Sequence, residues 1–472
     1  MMAGAGSTMW PRRLAFAALP ALIALATGCV RPPPATETPA GPVVSSAQLL
    51  PGASDAWEPA LAAGPDGLVY VTAGGRHLRP ESDQSGMPFE QRIVIWRSSD
   101  SGATWEGPWP VDEGGSFQGD QRVAVDDRGT VHVSYLEAGE GPDGKMIGLL
   151  RLATSRDGGR SFTVQTVLDH DVSDKPELAV SGDGRDIYLI LESRPGPSLV
   201  GSHDSGATWG APQVVVPVRE RETHFWPTGL ALASDGRLWF SVPSIPTSEL
   251  EAGGPSTTTL HAFSSDDGGT SWHESVLGSF PWSRGGCVHD PECRVKSAYP
   301  GIAVDAVGRA YAVNTDGRAG EPYRLLLRSS ADGGETWSEP VPVSEAPRPS
   351  SGDLADHDFP MVTAAGDGRT CVAWVDDRSG PRSLWARCSA DAGATWGDEL
   401  LLSNMASDQG HTTTEGFAVF YGDYGGIALT DEGRLHVTWG AATAMDGPGA
   451  VWVGSADVFP STGLERGSPA GG

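Results

Sequence analysis

The chain has 472 residues with 63 Gly, 37 Pro and only 20% charged residues, a balance that suits an all-β protein dense in turns and excludes a helical bundle. Asp and Glu number 60 against 33 Lys and Arg, for a formal charge of −27. Nucleic acid and anionic membrane surfaces both require clustered positive charge, so both are excluded as partners, and any acidic ligand would need a local cluster of arginines.

Arg12 and Arg13 precede an apolar run from Leu14 to Ala26, and Thr27-Gly28-Cys29 follows. The run is too short to span a bilayer and reads as an export leader over residues 1–28. Leu25 to Cys29 resembles a bacterial lipobox, with Ala26 where leucine is usual, which implies lipid attachment at Cys29; an ordinary cleaved signal peptide is the alternative. Residues 29–42 are Pro-rich and make an extended tether. The expected location is the cell envelope, lipid-anchored at the outer membrane or cell surface, or else the periplasm or the medium. Membrane contact is expected through that anchor alone.

An eight-residue pattern, Ser-x-Asp-x-Gly-x-Thr-Trp, then recurs six times, beginning at Ser98, Ser155, Ser202, Ser265, Ser330 and Ser389. The Asp carboxylate can bond nearby backbone N–H groups and the glycine supplies positive φ, so each copy predicts a tight hairpin turn. The terminal Trp or Phe enters the next strand as an apolar anchor. Seven looser units accompany these turns: an apolar strand, usually led by Pro, a Gly-Arg turn, and a strand of aromatic and β-branched residues, from Pro59–Val71 to Gly425–Val437. The turns recur about every 58 residues, which fits about seven repeats into residues 43–460. The prediction is a β-propeller of four-stranded blades, with seven blades favoured and six the alternative. Ala450–Asp457 supplies a third strand for the seventh unit, Ser455 and Asp457 reading as a decayed turn. Val43–Leu50 reads as the missing fourth strand, closing the ring from the other end of the chain, and residues 461–472 form a tail.

Four cysteines follow Cys29, an even number suited to an oxidising compartment. A two-residue turn at Ser379-Gly380 would set Cys371 opposite Cys388, close enough for a disulfide. Cys287 and Cys293 would close a small loop as a second disulfide. A zinc site with His289 is the alternative there, although no second ligand pair follows at the usual spacing.

The eight-residue pattern resembles the Asp box of the sialidase superfamily, over nearly all of the chain after the leader. The resemblance implies that the boxes are scaffold, on the turn between third and fourth strands, and that ligand meets the opposite face. There the chain enters each first strand, with Asp55, Glu58, Asp120, Arg122, Asp174, Lys175, His224, Trp226, Tyr299, Asp356, Asp358 and Tyr421 to Tyr424 on offer. It also crosses there from second to third strand, with Arg76, Arg194, Arg318 and Arg378 at nearly the same point of their repeats. Similarity to exo-sialidases implies Tyr424 as nucleophile, Glu415 as its helper and Asp83 as acid/base, with Arg76, Arg122, Arg318, Arg378 and Asp358 binding substrate. The recurrent crossing arginines read equally as blade-to-blade salt bridges. The first arginine of the sialidase triad stands two residues before a proline; here Trp57 stands two residues before Pro59. That departure opens a second reading, a non-catalytic recognition or assembly propeller. Either form implies a monomer meeting a carbohydrate or glycoconjugate, without cofactor or metal, since His224, His289, His357 and His411 show no paired ligand spacing.

Overall fold

The computed structural model describes residues 43–44, 47–53, 56–78, 89–114, 117–140, 146–170, 172–217, 222–252, 255–283, 300–316, 322–347, 352, 354–355, 357–378, 383–403, 411–412, 418–419, 425–442 and 449–459. The leader, the tether, the tail, Cys29, Cys287, Cys293 and His289 lie outside them.

The described residues between 43 and 459 form seven blades in a ring, each a sheet of antiparallel strands in which successive segments are neighbours, with His411–Thr412 and Ala418–Val419 pairing as a separate two-stranded sheet. Blade 1 is Ala56–Ala63, Val69–Leu78, Phe89–Ser98 and Glu106–Pro110; blade 2 is Gln118–Val125, Val131–Glu140, Met146–Ser155 and Thr163–Leu168. Blade 3 is Val172–Val180, Ile187–Ser193, Ser198–Ser202 and Gln213–Val214. In blade 4 the first strand is split into Thr223–Phe225 and Leu230–Leu232, followed by Leu238–Pro246, Pro255–Ser265 and His273–Ser283. Blade 5 is Gly301–Val304, Ala310–Asp316, Arg324–Ser330 and Val341–Ser344; blade 6 is Asp358–Ala365, Arg369–Asp376, Ser383–Ser389 and Leu400–Ser403. Blade 7 is Gly426–Leu429, Arg434–Ala442 and Gly449–Asp457, completed by Val43–Val44 and Gln48–Leu49 from the N-terminal side. The sheet therefore needs chain from both ends, and the ring closes without a free gap.

Packing shows the same closure. Among the described residues seven apolar clusters form, each shared by two successive blades. One joins Val451 and Val453 of blade 7 to Val69, Val71 and Trp96 of blade 1. The second strands lie in the middle of this packing, which is why Ile187 to Leu191 is an unbroken apolar run buried on both faces.

Each box closes in the same way. In the copy at Ser330 the serine Oγ donates to Asp332 Oδ1 at 2.9 Å and accepts from Gly334 N at 2.9 Å. Asp332 also accepts from the amide and the hydroxyl of Thr336. The residue after the Asp takes positive φ in all six boxes: glycine in three, and Ser101, Ser205 and Ala392 in the others. With so many donors aimed at it, each box Asp is held below the usual carboxylate range, to about 2 in Asp204, Asp267 and Asp332. The following Gly lies against the preceding blade: a Cβ on Gly269 would sit 2.2 Å from Leu199 Cδ2, and one on Gly334 3.3 Å from Trp239.

In blade 7 the register corrects one expectation. Leu435 pairs with Ala456 and His436 with Ser455, whereas in blade 5 Ala310 pairs with the box serine Ser330. Ala456 thus occupies the box serine position, and Ser455 and Asp457 fall one residue out of frame. Asp457 takes Arg434 as its partner at 2.7 Å, and the amides of Val458 and Phe459 both bond Gly433 O. In blade 6, Cys371 faces Cys388 and the two form a disulfide, as the strand register requires.

Candidate functional site

Antiparallel alternation fixes two faces. The box turns follow the third strands, so they lie at the end of the blades opposite to the points where the chain enters the first strands and crosses from second to third. The first strands of all seven blades line a central channel enclosing about 270 Å³. Arg122 and Glu177 sit in its wall, Arg122 Nη2 bonding Oε1 at 2.6 Å and Nε bonding Oε2 at 2.9 Å, so this pair joins blade 2 to blade 3.

At the channel mouth several first strands carry the same distortion. Glu58, Asp120, Lys175 and Phe359 all have φ between 51° and 54°, and the ladder slips beside each. Non-glycine residues in this region are strained, and bulges of this kind re-aim side chains. In blades 3 and 6 an Asp caps the distortion: Lys175 N donates to Asp174 Oδ1 at 2.8 Å, and Phe359 N to Asp358 Oδ1 at 2.9 Å.

Blade 3 turns this device into a charged cluster. The slip sets Asp174 directly across from Glu192, two carboxylates on one rung. Burial, with Asp120 and Glu192 adding to it against the favourable charge of Lys175, pushes the Asp174 carboxyl up to about 7. Lys175, largely buried, places Nζ 4.0 Å from Asp120 Oδ1. Glu192 holds His224 Nε2 at 2.8 Å, and the His224 ring leans on Trp226 with centroids 4.3 Å apart. Arg194, at the turn that follows, is exposed and makes no ion pair among the described residues.

Elsewhere, two groups of described residues at the mouth are tied up within the protein. Trp57 Nε1 donates to Gln91 Oε1 at 3.0 Å, and Gln91 Nε2 to Gln118 O at 2.8 Å, an amide network across blades 1 and 2. In blade 6, Arg378 bonds Asp376 and Glu399, reaches Ser344 of blade 5, and stacks over Trp385 at 4.0 Å. His357 is fully buried beside them, and burial lowers its pKa.

Of the residues the sequence nominates, Arg122, Arg378 and Asp358 are each engaged by the protein itself. Arg76 falls within its second strand, with its side chain outside the described residues. Tyr424, Glu415, Asp83 and Arg318 lie outside them altogether. Asp174, His224 and Trp226 are read from the sequence only as residues of suitable loops and Glu192 is not singled out there; it is the structure that brings the four together. Among the described residues no group of three His, Cys, Asp or Glu side chains is placed to hold a metal ion.

Seven blades, six Asp boxes and a mouth built from first-strand entries define an Asp-box propeller. Residues 195–437, just over half of the chain, match the BNR repeat-like domain, and the chain belongs to that family. No curated protein matches it. Among the solved structures that share the fold, two illustrate it. A protein of unknown function from Dyadobacter fermentans is 15% identical with a TM-score of 0.50, covering 89% of this chain and 100% of its own. A polysaccharide lyase, an ulvan lyase bound to -[GlcA(1-4)Rha3S]-, is 14% identical with a TM-score of 0.53, covering 84% and 94%. A microbial sialidase, Hadza Hz136, aligns more loosely, at 18% identity and a TM-score of 0.43 over 86% of this chain and 66% of its own.

Proposed function

We propose that the protein engages carbohydrate at the channel mouth of blades 2 to 4 and, as an enzyme, passes a proton there through Asp174. The observation that carries the reading is the geometry of Asp174, set across from Glu192 on one rung and beside Lys175, surroundings that raise its pKa to about 7. An acid whose pKa lies near working pH is what general acid/base catalysis requires. The Glu192–His224 pair offers hydrogen bonds to hydroxyls, and the Trp226 ring an apolar face for a sugar ring. Exposed Arg194 could meet a sugar carboxylate bidentately, and the ulvan lyase is a saccharide-binding protein of the same fold.

The assignments from resemblance belong to this proposal: Tyr424 as nucleophile, Glu415 as its helper, Asp83 in the acid/base role that Asp174 also suits, and Arg76, Arg318 and Asp358 in substrate binding. So do export and anchoring through Cys29. A fluorogenic panel of sialosides and neutral glycosides, with uronate-containing polysaccharides assayed for unsaturated products, tests it on purified protein. Turnover that falls in Asp174→Asn and in Tyr424→Phe is the expected result; turnover untouched by either removes the catalytic assignment.

A second reading is a propeller that binds saccharide without cleaving it. It is favoured by Trp57 at the position of the first triad arginine and by the engagement of Arg122 and Arg378 with the protein's own carboxylates. Saccharide binding that is lost in Asp174→Asn, with no turnover across the panel, would select it.

A further inference from the structure

On the box face, the residue just before each box serine pairs with the second strand, and this rung faces the box of the next blade. In blade 1 the rung is Tyr70 and Arg97. The Arg97 guanidinium covers the following box: a Cβ on Gly158 would sit 3.0 Å from Arg97 Nη1. In blade 4 the rung is Trp239 and Ser264, and in blade 6 it is the Cys371–Cys388 disulfide. Blade 3 has Tyr188 and Gly201. With no side chain at Gly201, a notch of about 440 Å³ remains open between blades 3 and 4, lined by Tyr188, Gly201, His203, Trp209, Gln213 and Gly268.

The lining defines what could occupy it. Tyr188 is only 5% exposed as a whole residue, and its hydroxyl, which keeps some exposure, makes no hydrogen bond among the described residues. A Cβ on Gly268 across the notch would come no closer than 3.4 Å to that hydroxyl. His203 stands edge-on to the Tyr188 ring at 5.7 Å and is held through Nδ1 by Asp186 at 2.8 Å. No lysine or arginine lines the notch, and the neighbouring Arg185 is turned to the carbonyl of His203 at 2.9 Å. Asp186 and Asp204 make the surroundings acidic, which disfavours an anion. The volume falls in the range of small-molecule sites, about 300 to 1,000 Å³. An aromatic ring edge, the accessible Tyr188 hydroxyl, the Gln213 amide and the His203 imidazole, with Thr208 and the Asp204 carboxylate beside them, suit a ligand with an apolar face and a hydroxylated edge.

We propose that this notch is a second binding site, for an uncharged saccharide. It stands on the geometry of blade 3 and is independent of the reading of the mouth. A propeller with both sites would hold a polysaccharide at two points and gain by the effective concentration of the second contact.

Saturation-transfer NMR on the full chain carrying Asp174→Asn, which silences the mouth site of the proposed function, tests it with millimolar cellobiose, lactose and maltose. At least one sugar should show transfer. Gly201→Arg, which restores the filling seen in blade 1, should abolish it, because the new Cβ already lies 3.0 Å from Cδ1 and Cε1 of Tyr188. Tyr188→Phe in the same background, which removes only the hydroxyl, should weaken binding about fivefold. Absence of transfer from every neutral sugar overturns the proposal. So does transfer that survives both Gly201→Arg and Tyr188→Phe, or binding confined to charged probes such as glucuronate or glucosamine.

Discussion

Aspartates on the two faces of this propeller have opposite fates. In a box, three donors converge on an exposed carboxylate and lower its pKa, to about 2 in Asp332. At the mouth, half-buried Asp174 loses solvent beside Glu192 and Asp120 and rises to about 7. The first arrangement stabilises a charge and is repeated, so it reads as structure. The second holds a charge at a cost and, among the described residues, stands out in blade 3, the pattern expected where chemistry rather than stability is selected.

The contrast can be broken most forcefully at a box glycine. Gly269→Ala puts a Cβ 2.2 Å from Leu199 Cδ2 at a φ of +89° and should lose about 2 to 4 kcal/mol in urea unfolding. A loss below that of an ordinary surface change would show that blade contacts tolerate movement here. Removing the disulfide with the double change Cys371→Ala and Cys388→Ala should cost about 3 kcal/mol for a loop of this length, read by the same unfolding. Ser330→Ala strips Gly334 N–H of its buried acceptor and should cost about 1 to 3 kcal/mol.

The smallest effects sharpen the comparison by pH. Box carboxylates are depressed in the folded state, so their contribution is full above the unfolded value near 3.8 and is lost as pH falls towards about 2. Asp174 is raised, so the folded state binds its proton more tightly than the unfolded, and stability declines as pH rises from about 4 to 7. Thermal melts should therefore fall steeply on the acid side and gently towards neutrality. Asp174→Asn should flatten the gentle limb alone.

How much of this could be read from the chain follows the same division. Box residues act within eight positions of one another, so Ser330, Asp332, Gly334 and Thr336 announce their turn without knowledge of the rest. The disulfide was legible because a short turn fixes the register of Cys371 and Cys388. The decayed box of blade 7 misleads because Ser455 and Asp457 keep the spacing while the ladder assigns the serine position to Ala456. Asp174 was visible only as a loop residue. Extending the rungs from Glu177↔Ile190 without interruption would place Asp174 across from Ser193, and the bulge moves it by one position to Glu192. His224 then arrives from another blade, a contact that periodicity cannot express.

The most direct test makes one substitution on each face, Asp174→Asn and Asp332→Asn, and measures saccharide binding or turnover beside the melting temperature. The account predicts loss of function with the fold intact for Asp174→Asn, and a lowered melting temperature with function retained below it for Asp332→Asn. Function lost with Asp332→Asn while Asp174→Asn remains fully active would contradict it.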